Sequence, residues 1–231
     1  MNYDTYYQIC KETYAGTIND FSSVERFYED PVRVFPENML GSEYTQAVDS
    51  LSIGVKADFD SFVDCNDDGI MVKHTNMWKY REQICQLSDI ITPYLEENRF
   101  GCHLYVDKIY IYRTLAIKER KSSYEWHYDN NPHEIVKNLI YLTDVTEDNS
   151  PYEYLATSDS IGTLGYCTRR GTEMWYPAPN NSRVGHLLNE FKAHGYSPKT
   201  VVGNKGTMIS FMNNAIHRVN PIRSGYRDVI N

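Results

Sequence analysis

A histidine and an aspartate two positions apart are the first residues in this sequence whose types and spacing can support catalytic chemistry. They are His127 and Asp129, in the segment "EWHYD". Alternate residues of an extended strand project from one face, so both side chains point the same way if this segment is extended. An imidazole and a carboxylate together suit a divalent transition metal. Taken alone, the pair is better explained by a turn histidine whose ring bonds the neighbouring acid.

Two residues near the C-terminus change that interpretation. His217 follows the apolar segment "GTMISF", and Arg227 stands ten residues further on. Two histidines and one carboxylate on one face of an octahedron are the ligand set of non-haem Fe(II) oxygenases. The planar fork of an arginine can pair with a carboxylate through two hydrogen bonds. The order His127, Asp129, His217, Arg227 therefore predicts three metal ligands and one anion-binding residue.

The segments that carry these residues have the pattern of short strands. From about residue 102 the chain alternates and is rich in β-branched and aromatic residues, with Asn, Asp and Pro at the turns. The segments predicted as strands are "HLYVDKIYIYRTLAI", "YEWHYD", "IVKNLIYLTDV", "PYEYLAT", "TVVG", "TMISFM", "AIHRVNPI" and "RDVIN". Tyr110, Tyr112 and Thr114 share one predicted strand face, where they either line a pocket or belong to the core.

The N-terminal part of the chain is predicted to be helical or mixed. Residues 76–97 have apolar residues at near-helical spacing, Asn76 as a possible N-cap, and Pro93 as a kink or end. We therefore expect one domain over residues 1–231. In it, residues 1–101 pack on a mainly β core of residues 102–231, a β-sandwich or jelly roll with helices outside it.

Residues 157–198 form the least regular part of the sequence and are expected to be a lid or binding loop. Its candidates for substrate contact are Arg169, Arg170, Trp175, Tyr176 and His186, although each of them singly is better explained by an ordinary solvated loop. His133 is the best remaining histidine for such a contact. His74, His103 and His194 have no partner pattern and are expected to be structural or exposed.

Composition excludes several classes of function. The net charge of −8 argues against a nucleic-acid backbone as partner. Five cysteines without a C-x-x-C pair argue against a disulfide framework or a zinc knuckle. No apolar run approaches the ~20 residues of a membrane span, and the first residues lack the pattern of a signal peptide. We expect a cytoplasmic protein, and the sequence does not indicate its oligomeric state.

The segment "WHYDNNPHEIVKNLIYLTDVTEDNSPYEYL" and the later "HRVNPIRSGYRDVIN" together resemble the phytanoyl-CoA dioxygenase family of iron- and 2-oxoglutarate-dependent oxygenases. The resemblance spans roughly residues 103–231. It rests on the His-x-Asp motif, the strand ending in "YLTDV", the distal His217 and the following Arg227. The chain departs from the family pattern at Ser150-Pro151, where members usually have Gly-Pro, at residues 156–159, and at Val219.

The resemblance implies a double-stranded β-helix core with flanking N-terminal helices. It implies that His127, Asp129 and His217 hold Fe(II) and that Arg227 binds the distal carboxylate of 2-oxoglutarate. The implied reaction is oxidation of a small molecule by O2, most simply hydroxylation, with release of succinate and CO2. A carboxylate ligand at Asp129 disfavours halogenation, because it fills the position that chloride needs. Two alternatives stay open: a cupin-like iron oxygenase without 2-oxoglutarate, and a jelly-roll binding module without catalysis.

Overall fold

Two antiparallel sheets form the centre of the molecule. The computed structural model describes residues 30–100, 103–116, 122–129, 135–164 and 183–231. Seven strands form the larger sheet, in the order β1-β8-β5-β10-β4-β3-β2, and three form the smaller one, in the order β7-β6-β9. The strands of the larger sheet are β1 (Val32–Phe35), β2 (Cys65–Asp67), β3 (Met71–His74), β4 (Ile111–Thr114), β5 (Val136–Tyr141), β8 (Met208–Met212) and β10 (Arg227–Ile230). Those of the smaller sheet are β6 (Tyr152–Ala156), β7 (Ser197–Val201) and β9 (His217–Val219).

The two faces of the larger sheet pack against different partners. Because side chains alternate along a strand, Val229 of β10 joins the core cluster between the sheets, whereas Ile230 joins the cluster under the helices. The inner cluster contains Leu139 and Tyr141 of β5 and Tyr152 of β6. Arg227, two residues before Val229 on β10, therefore lies on the inner face. This arrangement agrees with the predicted mainly β core with helices packed outside it.

Two long helices cover the outer face. They are α1 (Gly41–Ser61) and α2 (Arg81–Leu95). The sequence patterns did not indicate α1, whose apolar positions stand among many polar ones. The helix is instead fixed by tertiary contacts: Tyr44 is fully buried, and its hydroxyl donates to the carbonyl of Gly206 at 2.7 Å.

The helix predicted over residues 76–97 needs three corrections. Residues Met77–Tyr80 form a 3₁₀ turn before α2 begins, and the Asn76 side chain makes no capping hydrogen bond. Trp78 is 78% exposed and belongs to no core. Pro93 lies inside the last turn of α2, where the chain continues into a π-helical turn at Glu96–Phe100. Proline lacks the amide hydrogen that would donate to the carbonyl four residues earlier, yet α2 continues two residues past Pro93 to Leu95.

The predicted strand over residues 103–117 is also too long. Among the described residues 103–116, the strand comprises Ile111–Thr114, and Tyr110 before it exchanges backbone hydrogen bonds with Asn231. Tyr105 is 84% exposed. The insert predicted over residues 157–198 is partly regular, because it includes a 3₁₀ turn at Gly185–Leu187, the short helix α3 (Leu188–Ala193) and the start of β7. The candidates Arg169, Arg170, Trp175 and Tyr176, and His133 as well, lie outside the described residues.

That residues 1–231 form one domain stays a prediction, because residues 1–29 are not among those described. Within the described ranges, no helix has the length and apolar character that a membrane span requires.

A buried carboxylate ties α1 to the elements beside it. Asp58 is 6% exposed and lies 3.0 Å from Nε2 of His74 and 2.7 Å from Nζ of Lys79, and it also accepts a hydrogen bond from the Tyr80 hydroxyl. Burial alone would raise the pKa of Asp58, but these hydrogen bonds outweigh burial and lower that pKa to about 2. His74 is thus a structural residue, as the sequence analysis expected.

We expect Asp58→Asn to lower the free energy of unfolding by about 2 kcal/mol at pH 7. The folded-state pKa lies below the ordinary value of 3.8, so the charge stabilises the protein above about pH 4, and this contribution is lost as the pH falls through 2. Urea unfolding at pH 7 and at pH 2.5 measures the effect. The difference in unfolding free energy between wild type and variant should narrow at the lower pH, whereas Glu43→Gln, at an exposed position of the same helix, should have little effect at either pH.

Candidate metal centre

A pair of backbone hydrogen bonds brings the two predicted histidine ligands together. The amide of His127 donates to the carbonyl of His217 at 2.9 Å, and the amide of His217 donates to the carbonyl of His127 at 2.8 Å. Residues that exchange both hydrogen bonds lie directly opposite each other, with side chains on one face. The two imidazole rings accordingly have centroids 4.3 Å apart.

Asp129 completes a cluster with these two rings. Its amide donates to the carbonyl of Asn213 at 2.8 Å, which holds the segment against the turn after β8. Its Oδ1 lies 3.7 Å from Nε2 of His127, and its Oδ2 lies 3.9 Å from Nε2 of His217. The three residues offer ligand atoms within 4.8 Å of one another, a spacing that one metal ion can bridge.

The hydrogen bonds of both rings prepare them to bind a metal. Nδ1 of His127 lies 2.7 Å from the carbonyl of Glu125, and Nδ1 of His217 lies 2.7 Å from the carbonyl of Ala215. A carbonyl only accepts, so each Nδ1 carries the proton and each Nε2 keeps its lone pair. Such partners fix the tautomer and the orientation of metal-binding histidines.

The charge states also fit a metal site. Burial lowers the pKa of His127 to about 3, helped by the nearby His217 and Arg183, and burial lowers the pKa of His217. Burial alone would raise the pKa of Asp129, but His217, Lys137 and His127 outweigh it and lower that pKa. At neutral pH the cluster therefore offers two neutral imidazoles and one carboxylate, the forms in which these side chains bind metals.

Lys137 is a residue of this centre that the sequence analysis missed. Its Nζ lies 2.7 Å from Oδ2 of Asp129, with 30% of the lysine side chain exposed. It stands on β5 at an alternate position to Leu139 and Tyr141, and therefore on the inner face. A lysine within the apolar run "IVKNLIYL" was the available signal, because a charge on an inward-facing position needs a partner.

Arg227 lies buried on the same inner face, with 1% of its surface exposed. Its guanidinium donates to the carbonyl of Ser150 and to the hydroxyl of Thr114, the latter at 3.2 Å, while its Nε has no hydrogen-bond partner. Among the described residues no carboxylate forms an ion pair with it. The neighbouring Arg113 differs, because it pairs with Asp228 at 2.6 Å. A buried cation without a counter-ion is costly, so Arg227 is suited to an anionic ligand.

Two tyrosines connect Arg227 to the histidine cluster. The hydroxyl of Tyr141 donates to the carbonyl of Val201 at 2.8 Å and accepts from the amide of Tyr152 at 3.1 Å. Burial raises the pKa of Tyr141 to about 12, and the charge of Arg227 opposes this rise. The ring of Tyr152 stacks on His217 with centroids 5.4 Å apart. The buried hydroxyl of Tyr152 has no hydrogen-bond partner. The inner face thus holds an unpartnered hydroxyl and an unpartnered guanidinium nitrogen close to the predicted ligands.

Two sequence expectations around Arg227 now have a structural context. Ser150 adopts a positive φ of 65°, a conformation that glycine adopts without steric cost, which explains why a glycine suits this turn. Tyr110, Tyr112 and Thr114 were expected on one strand face. Thr114 contacts Arg227, whereas Tyr110 precedes β4 and is 48% exposed. His103, His186 and His194 are all exposed.

Arg183 is a second residue that the sequence analysis missed. An isolated bridge pairs it with His127 on the side opposite His217, so the Arg183 side chain shares a face with both rings. It borders a cavity of about 400 Å³ between residues 124–126, residues 183–186 and β9. No sequence signal marked it, because the residues before it have an irregular pattern.

No protein-family model matches the sequence, and no curated protein matches it. Solved structures do match. AviO1 from Streptomyces viridochromogenes Tue57 superposes with a TM-score of 0.51 at 16% identity, over 92% of this chain and 93% of that one. The epimerase SnoN, in complex with Fe3+, alpha ketoglutarate and nogalamycin RO, gives 0.57 at 14% identity, over 91% and 82%. EctD from S. alaskensis with bound Fe gives 0.58 at 17% identity, over 91% and 74%.

These identities are too low to transfer a reaction or a substrate, but the superpositions extend over most of the chain and show the architecture. They confirm the fold that the sequence resemblance implied. The chain has the double-stranded β-helix fold of iron- and 2-oxoglutarate-dependent oxygenases, with N-terminal helices packed on one sheet.

Proposed function

We propose that the protein is an Fe(II)- and 2-oxoglutarate-dependent oxygenase that oxidises a small molecule. The observation that carries the proposal is the cluster of His127, Asp129 and His217 on the inner face of a double-stranded β-helix. Three protein donors on one side of an ion leave positions for a co-substrate, which is the arrangement of non-haem iron oxygenases. Iron would supply the activation of dioxygen when bound.

The residues of the chain have separate roles in this proposal. The Nε2 atoms of His127 and His217 and the carboxylate of Asp129 hold the metal. The carbonyls of Glu125 and Ala215 keep both rings in the ligand tautomer. The burial of both histidines excludes water from that side of the centre.

Arg227 binds the distal carboxylate of 2-oxoglutarate in this proposal. Support comes from its burial, its unpartnered Nε and its lack of an ion-paired carboxylate among the described residues. The hydroxyl of Thr114 orients the guanidinium. The unpartnered Tyr152 hydroxyl, which belongs to a ring stacked on His217, is a donor available to the same co-substrate.

Hydroxylation is the outcome that we propose for the substrate. Asp129 keeps a carboxylate where a halogenase needs a free position. Known structures with this fold include an epimerase and a carbocyclase of nogalamycin biosynthesis, so product analysis must distinguish oxygen insertion from loss of hydrogen or inversion. A substrate product heavier by one oxygen atom would support hydroxylation.

The first test is metal binding and 2-oxoglutarate turnover by triad variants. We expect wild type to bind one Fe(II) per chain and to convert 2-oxoglutarate to succinate, even slowly without substrate. Asp129→Ala and His217→Ala should lower succinate formation at least about 100-fold, because each removes a ligand. His194→Ala, which changes an exposed histidine, is the control. Unchanged metal stoichiometry in both triad variants would refute the proposed centre.

The second test concerns Arg227. We expect Arg227→Gln to weaken 2-oxoglutarate binding by about 30-fold or more, because it removes a charge-assisted contact worth about 2 kcal/mol. Calorimetry under anaerobic conditions on the Fe(II)-loaded protein measures it. Metal affinity should stay within about threefold of wild type, and Arg223→Gln, at an exposed arginine, should change neither. If Arg227→Gln binds 2-oxoglutarate normally, an iron oxygenase without this co-substrate is favoured.

The third test concerns Lys137. Its ammonium competes with a cation for the Asp129 carboxylate, so we expect Lys137→Met to tighten Mn(II) binding by about fivefold, which corresponds to about 1 kcal/mol. Titration followed by electron paramagnetic resonance of free Mn(II) measures the affinity. Weaker binding would show instead that the lysine is needed to orient the carboxylate.

A further inference from the structure

Arg183 borders a cavity next to residues 124–126 and has unused hydrogen-bonding capacity. Nη1 of Arg183 is buried and has no hydrogen-bond partner among the residues that the structure describes. Its nearest acid is Glu125, whose Oε2 lies 3.8 Å from Nε of Arg183, which is too far for a hydrogen bond. The side chains of Arg183 and Glu125 are 34% and 52% exposed, so this contact is a loose, solvated ion pair that contributes little.

The other arginine of this cavity is already neutralised. Nε of Arg218 lies 2.6 Å from Oε2 of Glu153, and the guanidinium lies over the ring of Trp126 at 4.5 Å. The same Glu153 accepts hydrogen bonds from Asn220 and from Thr200. Arg218 therefore forms part of the wall, whereas Arg183 retains charge and donors for a ligand.

The position of Arg183 relates the cavity to the proposed reaction centre. Arg183 pairs with His127, and both side chains share the inner face with His217. Directly opposed residues have Cβ atoms about 5 Å apart, so the Arg183 side chain begins beside His127, although the walls of the cavity do not include His127, Asp129 or His217. The cavity has a volume of about 400 Å³ and is open to solvent.

We propose that Arg183 binds an anionic group of the substrate, a carboxylate or a phosphate, in the cavity next to His127. That the bound anion belongs to a substrate rests on the proposed function. The residues that form the anion site are not metal ligands. Arg183 is then a specificity-determining residue, because an uncharged substrate analogue would leave its buried donor unpaired. Glu125 is its competitor, which the substrate anion displaces from Arg183.

Inorganic phosphate and acetate are the probes that test this assignment. Each is titrated by calorimetry into the metal-free protein and into protein loaded with Mn(II) and 2-oxoglutarate, with acetamide as an uncharged control for acetate. We expect at least one anion to bind in both states and acetamide not to bind. The probe that binds more tightly distinguishes a phosphate site from a carboxylate site.

Four variants locate the binding. Arg183→Gln should weaken the bound anion at least fivefold, Arg183→Lys should stay within about threefold of wild type, and Glu125→Gln should strengthen binding about threefold by removing the competing charge. Arg223→Gln, an exposed arginine whose nearest acid is Asp148 at 3.5 Å, should have no effect.

Two results would overturn the assignment: no binding of either anion to wild type, or equal binding by wild type and Arg183→Gln. If the proposed function is wrong, the protein will not bind Mn(II). The anion titration of the metal-free protein does not depend on that result and still tests the assignment of Arg183. Thermal unfolding of each variant shows whether it is folded.

Discussion

The reciprocal hydrogen bonds between His127 and His217 are the constraint on which the site depends. They join two residues that are far apart in the chain, and they set both imidazoles on one face at a ring spacing of 4.3 Å. The same short ladder continues to Tyr154 on one side and to Arg183 on the other. One row of paired residues thus places an aromatic ring, two potential ligands and a cation in a line.

Some charged side chains near this row of residues have ion-pair partners, whereas two arginines each keep a nitrogen without a hydrogen-bond partner in the described part of the chain. Asp129 has Lys137 as its partner, and Arg113 on the outer side has Asp228. Arg227 and Arg183 each retain a buried nitrogen without a hydrogen-bond partner. Buried polar atoms are normally paired, and these two exceptions are the groups to which we assign anionic ligands in the proposals above.

The two sheets have distinct tasks. The larger sheet carries the helices on one face and supplies Arg227, Lys137 and Thr114 on the other. The smaller sheet supplies His217 and, through a bridge, His127. Because the residues proposed for metal and for co-substrate come from opposite sheets, the space between them is set by the packing of Tyr141, Tyr152 and Phe211. Changes in these core residues therefore alter the site even without contact to a ligand.

The sequence by itself determined the residue types and the periodic patterns. Alternation along an extended segment predicted that His127 and Asp129 share a face. The distal His217 and Arg227 were added to them by their position after an apolar strand and by the resemblance to the phytanoyl-CoA dioxygenase family. The strands around β5, β6, β8 and β10 were recognisable from the same kind of alternation. Lys137, Arg183, helix α1 and the burial of Asp58 were decided only by tertiary structure. Their significance comes from the particular partner that each side chain contacts in the folded chain, such as Asp129 for Lys137 and His74 for Asp58, and such contacts leave no periodic signal in the sequence.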